Sequence, residues 1–120
     1  MGARINFCFK TEEHNDTLIY LYSHWGADSW RKDLAMALDQ ARPRWEDKDY
    51  CLRIIIDQLT KPERDTKTGF GIGIVQQNEI ETMDYPVLIN VLSQTINDEG
   101  HEHSWHAFVE YQEQLLENHM

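Results

Sequence analysis

The sequence predicts a single α+β domain spanning residues 1–120, with a mainly antiparallel sheet of four to five strands covered by three helices. Two observations carry this. Short stretches with strand-like patterning lie at Arg4–Lys10, Thr17–His24, Gly69–Val75 and Val87–Val91, while helical periodicity follows Gly26, Asp47 and Ser104. The resulting order, β-β-α-α-β-β-(β)-α, is that of a sheet with helices packed on it. At 120 residues and 41% apolar content, such a chain can bury about two thirds of its unfolded surface without cross-links.

Each element has its own signal. From Arg4 to Lys10, Ile5, Phe7 and Phe9 point one way and Asn6 and Cys8 the other, a half-buried strand. Thr11–Asp16 is a polar turn. The strand that follows carries bulky residues on both faces, as a central strand would, and forms a hairpin with the first. Gly26 can supply a positive φ to leave this strand, and Asp28 or Ser29 can cap the next helix. In that helix Trp30, Leu34, Ala37, Leu38 and Ala41 form one apolar stripe, and Pro43 ends it, leaving Arg44 and Trp45 in a connection.

Asp47 caps a second helix to about Leu59, with Cys51, Ile54, Ile55 and Leu59 facing inward; the isoleucine-rich run Cys51–Ile56 also fits a strand. On its other stripe, Asp49, Arg53 and Asp57 form either a solvated ion-pair row or a ligand contact. Lys61–Thr68 is a charged surface loop around Pro62. Gly69–Val75 alternates strictly, with Phe70, Ile72 and Ile74 on one face and glycines on the other. Its spacing is not a dinucleotide fingerprint, and a bare glycine face in a strand means close approach by packing side chains or by a flat ligand. After the polar region Gln76–Asp84, Val87–Val91 is buried and Thr95–Asn97 adds a short edge strand ended by Asp98-Glu99-Gly100. Ser104 caps a last helix whose inner stripe is Trp105, Phe108, Val109, Leu115 and Leu116.

Charge constrains partners. The net charge is −10, and after Lys67 the chain has no basic side chain but nine acids, so a basic nucleic-acid face is not expected and an anionic ligand would fall to the N-terminal half. No run of about eighteen apolar residues and no leader-like start is present, so neither a membrane span nor secretion is expected. Cys8 and Cys51 lack the spacing of redox or zinc pairs and suit buried thiols in a reducing cytosol.

Three groups can carry chemistry. His101, His103 and His106 invite a metal, but the outer pair is five apart rather than four and the first two precede the helix cap, so a solvated turn is the expectation and no metal or cofactor is assigned. Ser23 and His24 are adjacent on a strand, point to opposite faces and cannot pair directly as nucleophile and base. The third group is aromatic and cationic. Trp25, Trp30, Trp45, Arg44 and Arg53, with the amides of the turn at Gly26, suit a nucleotide-sized anion through stacking and bidentate phosphate contacts.

The segments Arg4-Ile5-Asn6-Phe7, Leu21-Tyr22-Ser23-His24-Trp25-Gly26, Pro43-Arg44-Trp45, Thr68-Gly69-Phe70-Gly71 and Ser104-Trp105 resemble a family of small uncharacterised proteins encoded by bacteriophages and prophages. The resemblance covers most of the chain and implies a host-cytoplasm setting without assigning residue roles. By analogy, small phage proteins with tryptophan, arginine and glycine-lined pockets include sponges for nucleotide signals of bacterial immunity, as in Thoeris and cyclic-oligonucleotide systems. The expectation is therefore a homo-oligomeric, anti-defence binding protein. Its pocket would be formed by Ser23, His24, Trp25, Gly26, Trp30, Arg44, Trp45, Arg53, Gly69, Phe70 and Gly71. The competing expectations are a small hydrolase or phosphodiesterase using His24 oriented by Asp57 or another carboxylate, and an acidic interaction protein that blocks a basic host partner.

Overall fold

The computed structural model describes residues 4–118, which form an α+β fold with six strands: β1 (Ile5–Lys10), β2 (Thr17–Ser23), β3 (Phe70–Gln76), β4 (Pro86–Asn90), β5 (Thr95–Asp98) and β6 (His101–Ser104). The helices are α1 (Trp30–Ala41), α2 (Lys48–Thr60) and α3 (Trp105–Asn118). The strands lie in the order β3-β2-β1-β4-β5-β6. Every neighbouring pair is antiparallel except β1 with β4, which is parallel with Phe7 opposite Val87. The sheet is thus mixed, with six strands rather than four to five. The added strand is β6: His101–Ser104 is not a solvated turn, and all its residues are exposed, so no apolar alternation marks it.

β1 is buried on both faces, not one. Ile5, Phe7 and Phe9 enter the core with Leu21, Val87, Ile89 and Ile96, beneath Trp30, Leu34 and Leu38 of α1, Ile55 of α2 and Trp105 of α3. Asn6 and Cys8, on the opposite face, are enclosed as well. The reason is topological. β3 lies at one margin and β4 beside β1, so the connection between them must cross the second face of β2 and β1. On its way it forms a 3-10 turn, Gln77–Thr82, closed by a capping box between Gln76 and Glu79. The Sδ of Met83 then lies 3.9 Å from the Cys8 thiol, and the Asp84 carbonyl accepts from Asn6 Nδ2 at 2.8 Å.

The helix ends differ from the expected ones in detail. Gly26 does not use a positive φ; among the described residues that region is occupied by Tyr85, Gln94, Glu99 and Gly100. Gly26 is instead a close-approach site, because a Cβ there would lie 2.6 Å from Ser23 Oγ. A 3-10 turn at Gly26–Asp28 precedes α1, and Ser29 Oγ donates to the Asp33 carboxylate at 2.7 Å rather than accepting from the backbone. Ser104 does cap α3, its Oγ accepting from the Ala107 N–H at 3.1 Å. The inner stripe of α3 runs through Trp105, Phe108, Val109 and Gln112, and Leu115 and Leu116 continue it toward the helix end, where they are more exposed. No helix among the described residues is long and apolar enough to cross a membrane.

Candidate functional site

The turn leaving β2 brings together six of the residues expected to form a pocket. The His24 N–H donates to the Gly69 carbonyl at 2.9 Å, and Phe70 lies opposite Ser23 in the β2–β3 register. Trp25 packs edge-on to the His24 ring with centroids 5.2 Å apart, and it covers Gly69 so closely that a Cβ there would be 2.6 Å from its Cζ3. With Gly26 against Ser23 Oγ, this makes one tight knot of Ser23, His24, Trp25, Gly26, Gly69 and Phe70. His24 Nδ1 is hydrogen-bonded to Tyr22 Oη at 2.9 Å, whereas Asp57 accepts from Arg64 at 2.6 Å on α2.

The other expected residues lie elsewhere. Trp30 is fully enclosed, stacked on Phe108 and edge-on to Phe7 and Tyr85, so its faces serve the core. Arg44 and Trp45 follow the far end of α1, whose twelve residues rise roughly 18 Å. Trp45 donates its indole N–H to the Leu38 carbonyl at 2.8 Å and packs edge-on to Trp105. Arg44 lies over the Tyr50 ring and pairs with Asp47 at 3.6 Å. Arg53 is exposed on α2.

The glycine face of β3 divides into two cases. Gly73 is filled by packing, since a Cβ would lie 2.6 Å from the Tyr20 ring. Gly71 has open space above it, at the floor of a shallow groove of about 400 Å³ bordered by Asn6, Tyr20, Tyr22, Thr82, Met83 and Asp84.

A larger cavity, about 580 Å³, opens between the β5–β6 hairpin, α3 and the start of α1. Its walls include Arg31, Asp98, His101, His103, Phe108 and Tyr111. The hairpin turns on Glu99 and Gly100, both at positive φ, as a two-residue connection of the mirror-image type requires. Asn97 Oδ1 accepts from the Gly100 N–H at 3.0 Å and holds that turn. The register sets His101 opposite Asp98 and His103 opposite Ile96, so both imidazoles and the carboxylate share the face beneath α3.

Arg31 closes the cavity from the other side. Its guanidinium lies 4.7 Å from the centre of the Trp30 ring, and Nη2 donates to Asp98 Oδ2 at 2.6 Å. Burial alone would lower the Arg31 pKa, but the hydrogen bond and charge of Asp98, with a contribution from Tyr85, leave it raised, so the cation is fixed. The Asp98 side chain is only 13% exposed, and its second oxygen, Oδ1, is buried without a hydrogen-bond partner among the described residues. A buried carboxylate oxygen left in this state is an acceptor waiting for a donor. His106 faces away and pairs with Glu110 at 2.9 Å, and among the described residues no three His, Cys, Asp or Glu side chains gather as a metal site would need.

Sequence reasoning did not mark Arg31, Asp98, Phe108 or Tyr111 as a group. The available signal was the pair of short segments Thr95–Asp98 and His101–Ser104 around Glu99-Gly100, a two-residue hairpin that puts alternate residues on one face. No family model, curated protein or solved structure matches the chain.

Proposed function

We propose that this protein binds a small nucleotide-derived ligand non-covalently, in the cavity between the β5–β6 hairpin and α3, and holds it unchanged. The observation that carries this is the unpartnered Asp98 Oδ1 beside the Arg31 guanidinium. An amino or imino N–H on a base edge would satisfy this buried oxygen once the Asp98 carboxylate turns toward the cavity, and ring N–H groups of His101 and His103 can donate to phosphate oxygens. Tyr111, more than half exposed at the rim, offers a face for stacking. The volume falls within the usual range for small-molecule sites. Together with the resemblance to phage proteins, this supports sequestration of a nucleotide immune signal in the host cytoplasm as the biological use.

The test is a thermal-shift screen against cyclic dinucleotides, ADP-ribose derivatives and linear nucleotides, followed by chromatography of the ligand released on heating. A ligand at one hundred times its dissociation constant stabilises by about 2.7 kcal/mol, a readily measured shift. Intact ligand recovered from wild type, and no shift in Arg31→Ala or Asp98→Ala, is the expected result. Recovery of cleaved products would replace this reading with the hydrolase, and no shift across the panel would remove it.

A further inference from the structure

The two margins of the sheet are built differently. β6 is short and carries Glu102 between two histidines, as edges that resist pairing commonly do. β3 is seven residues long, and from Thr68 to Asn78 the chain has no charged side chain and no proline. Ile72 and Ile74 are 64% and 70% exposed, although their register with Leu21 and Ile19 puts them on the side of the sheet that the helices cover. The helical layer stops short of this strand. Alternate N–H and C=O groups of β3 face away from β2, its sole neighbour in the sheet order.

We propose that two copies of this chain pair antiparallel along β3, about a two-fold axis at Gly73, joining two six-stranded sheets into one. The sequence of the strand is self-complementary in that register. Ile72 stands opposite the partner's Ile74 and Ile74 opposite the partner's Ile72, so one face gains a cluster of four isoleucines. On the other face Val75 stands opposite the partner's Gly71, where the space above the glycine is open. Charge selects the same surface: two chains of net charge −10 repel, and a contact between copies is least opposed along a stretch free of charge. A two-fold pairing of this kind closes at two chains.

Light scattering after size-exclusion chromatography, run as a concentration series, tests this directly. Wild type is expected to have the mass of two chains. Ile74→Lys, at an exposed position, is expected to keep the wild-type circular dichroism and to weaken the dimer by at least about tenfold. The double variant Ile72→Cys/Ile74→Cys is expected to form a covalent dimer on mild oxidation, because the two positions face each other between chains, whereas within one chain they lie two residues apart, too far to bridge. A one-chain mass for wild type at every concentration, a mass above two chains, or an Ile74→Lys protein that remains as tightly dimeric as wild type would overturn the proposal.

Discussion

The indole N–H of Trp30 donates to the hydroxyl of Tyr85 at 3.1 Å, joining the first residue of α1 to the residue that precedes β4. Tyr85 sits at φ 44°, a left-handed backbone that a residue before proline seldom adopts, and its carbonyl also accepts from the Asn6 N–H at 3.2 Å. The ring and the carbonyl together hold the strained position. Tyr85→Phe leaves the enclosed Trp30 donor without its acceptor and is expected to destabilise by about 1–3 kcal/mol, read as a lower urea midpoint at unchanged slope.

Arg31 and Asp98 offer a way to separate folding from binding. The arginine side chain is 50% exposed, so the pair should contribute about 1 kcal/mol or less to stability in a double-mutant cycle. Asp98→Asn should fold with a thermal midpoint close to wild type, yet weaken ligand binding by about tenfold or more through loss of a charged acceptor. Calorimetric titration with whichever ligand the screen identifies provides the check.

The two glycines of β3 should respond in opposite directions. Gly71 has neither a positive φ nor a close neighbour, so Gly71→Ala is expected to be neutral or stabilising by up to about 1 kcal/mol. Gly73→Ala drives a methyl group into the Tyr20 ring and is expected to cost about 1 kcal/mol or more. Thermal unfolding of the two variants side by side measures the difference.

Burial pushes the Cys8 and Cys51 thiols up from 9.0 to about 11. Both should therefore resist alkylation at neutral pH until the protein unfolds. The sign for stability follows from proton counting. Below pH 9 both states keep these protons; between about pH 9 and 11 the unfolded chain loses them first, so stability falls as pH rises through that window. Urea denaturation across this range is expected to show the fall, and replacing both cysteines with alanine should flatten it.

Much of the architecture was legible because burial writes itself into the order of side chains. The alternation in Arg4–Lys10, the stripe from Trp30 to Ala41 and the cap at Ser104 all correspond to elements in the structure. β6 was not legible, since a strand held only by pairing along an exposed margin has no apolar face to display. The double burial of β1 was hidden too, because it depends on a crossing connection whose own residues read as a polar turn. The tryptophans expected to share one pocket are not brought together. Trp30 and Trp45 serve the core and its corner, and what Trp30 offers the cavity is a platform for its neighbour Arg31. Arg31 lies outside the apolar stripe of α1 and so carries no signal in the sequence, and Asp98 reads only as the end of a strand.

The crossing between β3 and β4 also divides the chain into two parts that must dock. β1 and β2 form a local hairpin and β3 returns to β2 only after α1 and α2, whereas β4 reaches β1 after the chain has passed beneath both inner strands, bringing the β5–β6 hairpin and α3 with it. Arg31 belongs to the part before that passage and Asp98 to the part after it, sixty-seven residues on. The cavity therefore exists only when these two parts are docked. A ligand lodged there would act as a latch on that docking, and its grip is expected to be felt as slower unfolding.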